Sequence, residues 1–410
     1  MLNDKGVREL AYVVRVDGIR PIEGADNVEL AIVGGWQVMV RKGMFYVGMP
    51  AIYFEIDSKV PETKPFEFLA KYHYKVKTQK YFKGTVLSQG LLMLAEDFGW
   101  ETEPEGIINP VDKEVYVPND DSAFLTEKLK VKYAVEEDNI RKAKDPDIYK
   151  RMAQRHPEVF KKPFVRWLMH FTFGKKMLYL IYSKDVKKSG WPVWVQKTDE
   201  ERCQNLTGLL FNGGAWSDED WIVTEKIDGS STTFTIKRGR RWQKPKFYVC
   251  SRNVVFDTPE KSEKCFYDSN IYLKMAAKYD IKNKMLKMLE IFPKAKWITI
   301  QGETYGKDVQ RRDYSIDYYD FKAFNFITSE NGRWNSLNMK VWLEDVYKIP
   351  CVPIIDIHYH LPNTIEELLE YAEGQSALDG KEREGIVLRS QNSKKSFKAV
   401  SNDYLMKYHQ

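Results

Sequence analysis

The sequence predicts a multidomain fold: an N-terminal all-β barrel joined to a C-terminal α+β domain built on antiparallel sheets. Three observations lead there. The chain has 410 residues, too many for one ordinary core and suited to two or three domains. Residues 1 to 105 read as short alternating runs divided by glycine turns, whereas from 191 onward strand patterns alternate with helical ones. Hydrophobic residues at 43% and aromatics at 14% describe a packed chain, not a disordered one. Residues 106–190 carry the weakest pattern and are expected to be a linker or insert.

Each N-terminal element has its own signal. Leu10–Val16 is an apolar strand, and Val28–Val33 and Trp36–Val40 flank Gly34-Gly35, a hairpin signature. Ala51–Ile56 and a run over Val86–Leu94 complete five short strands. Five strands in about 100 residues suggest a small closed barrel, with the OB fold as the natural candidate. Lys71–Lys83 mixes cations with aromatic rings, which suits phosphates and stacked bases. A charged loop over a barrel mouth would read the same way.

The net charge of +6 is too mild to demonstrate a nucleic-acid partner by itself. Cys203, Cys250, Cys265 and Cys351 are scattered, so a reduced intracellular protein without a zinc site is expected. His358 and His360 would share a strand face but lack a third ligand, so they read as structural. Met1–Gly6 lacks an apolar signal core. Trp167–Tyr182 is the most hydrophobic stretch, yet too short to span a bilayer, and reads better as a buried helix or hairpin than as a surface for a membrane or partner. A soluble monomer in the cytosol, nucleus or an organelle matrix is expected, with no membrane partner.

The C-terminal region is organised around Thr224–Thr233. Lys226 follows an apolar strand, and a small-residue turn at Asp228-Gly229 precedes a second alternating run. A lysine there can act as a nucleophile if burial or nearby cations lower its pKa. A surface hairpin with an Asp-Gly turn is the bland alternative. Helical patterns run over Tyr272–Leu289 and Thr364–Glu373, and Ala134–Lys162 has charges at helical spacing. Thr198, with Glu201 three residues on, reads as a capping box.

Further short stretches follow in order: Ser251-Arg252-Asn253, Gln301–Gly306, Phe321–Phe324, Glu384–Leu388 and Phe397-Lys398. With Lys226-Ile227-Asp228-Gly229 they resemble motifs Ia, III, IIIa, IV, V and I of the covalent nucleotidyltransferases, which include ATP-dependent ligases and mRNA capping enzymes. The set spans roughly 170 residues. Lys197–Asn205 and the barrel segments Pro21–Asp26, Gly34–Trp36, Tyr53–Asp57 and Ser88–Leu91 resemble the RNA ligases of the Naegleria and Deinococcus type. DNA ligases and capping enzymes place an OB domain after motif V, whereas here twelve residues follow Lys398.

The resemblance implies an OB domain ahead of a nucleotidyltransferase (adenylyltransferase) domain over 191–410. It implies an ATP-dependent RNA ligase that seals 3′-OH and 5′-phosphate ends, with nicked duplex RNA as partner. A ligase for DNA or hybrid nicks, or an inactive RNA-binding protein, are the alternatives. By the same resemblance, Lys226 would carry AMP and Lys398 would bind the α-phosphate. Glu225, Asp228, Gly229, Arg252, Glu303 and Phe324 would hold the nucleotide, with Phe324 on the adenine. Lys197 and Arg202 would add cations near ATP or RNA phosphates. Glu384 and Glu303 would hold Mg²⁺ or Mn²⁺. Relatives often carry Lys-x-Lys in motif V, but Ser396 stands two before Lys398, leaving Lys395, Lys394 or Arg389 to fill that role.

Overall fold

The computed structural model describes residues 1–2, 7–134, 149, 152–153, 156–182, 191–239, 242–256 and 270–408. Cys265 and most of the helical spacing over Ala134–Lys162 lie outside them.

The N-terminal strands are β1 (Ala11–Arg15), β2 (Gly18–Pro21), β3 (Val28–Val33), β4 (Trp36–Arg41), β5 (Pro50–Phe54), β6 (Gln79–Tyr81), β7 (Val86–Ser88) and β8 (Leu91–Met93). They pair antiparallel in the orders β1-β5-β8, β2-β3-β4 and β6-β7. Gly34 and Gly35 close the β3–β4 hairpin at φ 53° and 76°, both in the region where glycine carries no Cβ penalty. Alternation along β4 buries Trp36, Val38 and Val40, and the Trp36 ring stacks on Tyr53. The strand pattern missed β2 and β6, which are short and largely polar. Ile107, Tyr116, Leu125 and Val131 share one core with Leu10, Ile52 and Phe54. We therefore place the end of the N-terminal unit nearer residue 134 than 105.

The expected buried helix or hairpin at Trp167–Tyr182 takes another form. Helices α1 (Pro163–Leu168) and α2 (Thr172–Tyr182) bury only Leu168, Gly174 and Leu178. Phe164, Trp167, Phe173 and Leu180 are more than half exposed. Two short helices have too little inward face for so many large apolar residues. Among the described residues, no helix is long and apolar enough to cross a membrane.

The C-terminal unit contains two antiparallel sheets. Strands β9 (Trp221–Lys226), β10 (Ser230–Lys237), β11 (Lys246–Cys250), β12 (Val255–Phe256), β13 (Trp297–Gly306), β14 (Tyr319–Thr328), β15 (Gly332–Arg333), β16 (Ile354–Tyr359), β17 (Gly385–Ser390) and β18 (Ser396–Val400) follow in sequence. One sheet has the order β16-β9-β17-β18, the other β12-β11-β10-β13-β14-β15. β9 and β10 are thus not a hairpin: each pairs within a different sheet, and Ile227-Asp228-Gly229 crosses from one to the other.

Helices α3 (Ile271–Lys278) and α4 (Ile281–Ile291) pack Leu273, Met275, Met285 and Met288 on the six-stranded sheet. The single helical pattern over Tyr272–Leu289 is broken by Asp280, which adopts φ 48°, a left-handed conformation aspartate tolerates. Helix α5 (Ile365–Ala372) covers the four-stranded sheet. It starts with a capping box in which Thr364 Oγ1 accepts from Glu367 N–H and Glu367 accepts from Thr364 N–H. The box expected at Thr198 does not form: a short 3₁₀ turn begins at Cys203, and Thr198 Oγ1 instead lies 2.7 Å from Ser231 Oγ. Helix α6 (Asn402–Tyr408) closes the chain against the barrel, where Leu87 packs with Val400 and Leu405.

Candidate active site in the cleft between the two sheets

The crossover after β9 positions the site. Lys226 ends β9 opposite Gly385 on β17, so the residue just before Gly385 reaches across the strand pair. The Lys226 Nζ lies 2.6 Å from the Glu384 Oε2. Gly229 follows in the crossover. A Cβ there would sit 2.4 Å from the Thr304 carbonyl oxygen and 2.9 Å from Glu303 Cγ, so the close approach of the two sheets requires glycine. On the facing sheet, β10 and β13 pair Ser231 with Glu303. A cleft of about 340 Å³ opens between the sheets.

Lys226, Glu225, Asp228, Gly229, Arg252, Glu303, Phe324, Glu384 and Lys398 all line this cleft. Their environments differ. Burial would lower the Lys226 pKa, but the Glu384 carboxylate, with Glu303 and Asp228 behind it, outweighs burial and raises it. The lysine is therefore held as an ammonium, opposite to the lowered pKa expected of a nucleophile. Burial pushes Glu303 up to about 8, against the pull of Lys226 and helped by the Glu384 and Asp228 charges. Burial, then the charges of Lys226 and Arg202, brings Lys398 down to about 8. Lys226 and Lys398 thus share one small volume with Asp228, Glu303 and Glu384.

The remaining residues are fixed by the chain around them. Asp228 accepts a 2.9 Å hydrogen bond from the Tyr404 hydroxyl, and its N–H donates to Tyr314 Oη at 2.6 Å. The buried Glu225 carboxylate accepts from the Ser376 hydroxyl and, at 2.9 Å, from the Ala377 N–H. On β14, Phe321 and Ala323 face the core, so Phe324 faces the cleft, packed beside Ile227 and Val352. Arg252 pairs with Asp199 at 3.0 Å on the exposed rim. Lys398 is held from behind: its N–H donates to the Glu201 carbonyl at 2.8 Å.

Two expected cations stand elsewhere. Lys197 lines a neighbouring cavity and donates to Asn253 Oδ1 at 3.4 Å. Arg202 points toward the barrel, with its guanidinium 5.6 Å from the Trp36 ring centroid. Thr198, Asp199 and Glu200 of the same segment line the cleft, whereas Arg202 is turned to the barrel side. Of the three residues considered for the unfilled motif V position, Lys395 is tied to Glu219 at 2.6 Å and to the Ala215 carbonyl, and Lys394 lines the neighbouring cavity. Arg389 alone of the three lines the cleft, 3.2 Å from both Glu200 Oε1 and Thr224 Oγ1 and over the Phe324 ring.

Sequence reading did not single out Glu200, Gln310 or Tyr404. Glu200 lay inside the Lys197–Asn205 segment and was findable there; Gln310 and Tyr404 reach the site only through tertiary packing. Among the described residues, no group of three or more His, Cys, Asp or Glu side chains forms a metal cage. His358 is tied to Asp220 at 3.0 Å.

Comparison with known proteins agrees with this geometry. Residues 219–409 match the RNA ligase family, and residues 10–94 match an OB-fold domain. No curated protein sequence matches the chain. Among solved structures, the RNA ligase of Naegleria gruberi with PPi is similar at 24% identity and a TM-score of 0.60, covering 98% of this chain and 99% of that one. Two point mutants of the same ligase, one with ATP and Mn and one with AMP and Mn, align with the same identity, coverage and TM-score. At that identity the likeness establishes the fold, an OB-fold domain ahead of the two-sheet domain. The match to the RNA ligase family spans residues 219–409 and so encloses Lys226, Glu303, Glu384 and Lys398.

Proposed function

We propose that the protein is an ATP-dependent RNA ligase that joins 3′-OH and 5′-phosphate ends, with nicked duplex RNA as substrate, through a lysyl-AMP and an RNA-adenylate. The observation that carries this reading is the Lys226–Glu384 pair at 2.6 Å in a cleft also lined by Glu303, Lys398 and Phe324. The ATP and AMP bound to the Naegleria ligase support it.

In the first step the Lys226 amine, having lost its proton, bonds to the α-phosphorus of ATP and pyrophosphate leaves. In the second, an oxygen of the RNA 5′-phosphate bonds to that phosphorus and Lys226 leaves, taking up a proton. In the third, the 3′-OH attacks the activated 5′-phosphate and AMP departs. The lysine adduct divides one difficult displacement into easier ones. The rest is positioning and charge. Lys398 and Arg389 place positive charge against the phosphate, Phe324 offers a ring face to the adenine, and Arg252 stands on the rim where an incoming 5′-phosphate would pass.

Glu384, which is buried, and Glu303, which is partly exposed to the cleft, are oxygen-only donors whose mutual repulsion a cation would relieve. They would hold Mg²⁺ or Mn²⁺, hard cations that favour such oxygen donors. When bound, the metal supplies positive charge that weakens the carboxylates' hold on the Lys226 ammonium and so favours the free amine. The reading is tested by incubating the full chain with a nicked RNA duplex, ATP and Mn²⁺. Joined strands are expected; wild-type protein that folds and joins neither RNA nor hybrid nicks would refute it.

A further inference from the structure

A second cavity, of about 440 Å³, lies at the seam between the barrel and the catalytic unit. Its lining includes Lys80, Lys83 and Thr78 from the barrel, and Arg202 from the segment before motif I. Leu87 and Leu405 form an apolar wall. No carboxylate lines it. Such a one-signed lining is costly unless an anion completes it.

Arg202 makes the need specific. Its guanidinium is partly covered by the Trp36 ring, and its Nη1 is buried with no hydrogen-bond partner. Glu384 and Asp57 act on it only as distant charges. A buried, unpaired guanidinium nitrogen is a rare thing to leave unsatisfied. The cavity is also connected to the site: Arg202 bridges Lys398 in a parallel ladder, and Lys398 lines the cleft. Lys80 spends one N–H on the Met406 carbonyl at 2.6 Å, and Arg311 lies close enough to lower its pKa further after desolvation. Lys83 is exposed and makes no ion pair with a carboxylate among the described residues, and Phe82 beside it is 42% exposed.

We propose that this seam cavity is a phosphate-binding site, in which Arg202, Lys80 and Lys83 grip a backbone phosphate of RNA running from the cleft onto the barrel. Lysine and arginine suit phosphate as a point charge and as a planar fork respectively. The opening between two units admits a continuing strand, which an enclosed single-ion site would not. RNA as the source rests on the ligase reading above; the phosphate site itself does not. The nucleotide's own phosphates are the other source of the same chemistry.

The test uses the full chain with Lys83→Ala and, as the charge-preserving control, Lys83→Arg. Two arms are read: binding of a nicked RNA duplex across a salt series, and lysyl-AMP formation as a function of ATP. Loss of one phosphate contact should lower the slope of log affinity against log salt by about 0.9 in magnitude. Lys83→Ala should show that loss with ATP dependence unchanged, and Lys83→Arg should restore the slope. A rise in the ATP concentration needed for the adduct, with the RNA slope unmoved, would keep the phosphate site but assign it to the nucleotide. If a folded Lys83→Ala protein moves neither arm, the proposal is overturned. If wild-type protein forms no adduct yet Lys83→Ala still changes the RNA salt slope, the ligase reading fails and the phosphate site stands.

Discussion

Lys226 and Glu384 meet because their strands pair: β9 and β17 set Lys226 opposite Gly385, and Glu384 then brings its Oε2 to 2.6 Å from the Lys226 Nζ. The contact holds the lysine charged until another cation takes its place beside the carboxylate. Glu384, with Glu303 and Asp228, raises the pKa of Lys226 and so favours its ammonium form.

Removing only the charge of Glu384 tests that arrangement. Glu384 is 6% exposed, so alanine would strand a buried ammonium and confuse loss of chemistry with loss of fold. Glu384→Gln keeps the shape. Sealing of nicked RNA is expected to fall on the order of 10²-fold or more, the scale of losing one charge-stabilising group. Wild-type rates in a folded Glu384→Gln protein, measured by strand joining, would remove Glu384 from the site.

Gly229 is expected to tolerate no side chain. The Thr304 carbonyl that a Cβ would meet at 2.4 Å is backbone within β13 and cannot swing aside. Gly229→Ala should destabilise the protein by about 1–3 kcal/mol, the usual cost of overpacking, and depress adduct formation. Denaturant unfolding checks the first and ATP labelling the second; an unchanged midpoint would show that the sheets separate more readily than the packing indicates.

Arg389 is expected to fill the motif V vacancy, and Lys395 not to. Lysine cannot reproduce two simultaneous N–H contacts and a ring-facing plane. Arg389→Lys should raise the ATP requirement for adduct formation about 10-fold, roughly 1.4 kcal/mol. Lys395→Ala, which loses only Glu219 and Ala215 contacts, should leave it near wild type. The reverse pattern in an ATP titration would reassign the role.

Much of this was legible in the chain because alternation and glycine are local signals. The Gly34-Gly35 hairpin, the strand ending at Lys226 and the helix that begins near Thr364 each depend on residues within a few positions. What was not legible depended on partners far away. Asp280 broke a helix whose periodicity continued on both sides. Arg202 looked like a phosphate ligand in the cleft, but the barrel's Trp36 receives it. The lowered pKa anticipated for Lys226 failed for the same reason: Glu384, 158 positions later in the numbering, decides its charge.

The central claim is that Lys226 becomes covalently bound to AMP. Its most direct measurement is the mass of the protein and of its Lys226 peptide after incubation with ATP and Mn²⁺, without RNA. The account predicts one AMP on wild type, located at Lys226, discharged by pyrophosphate, and absent from Lys226→Ala. An equal adduct on Lys226→Ala, or one mapped to another residue, would contradict it.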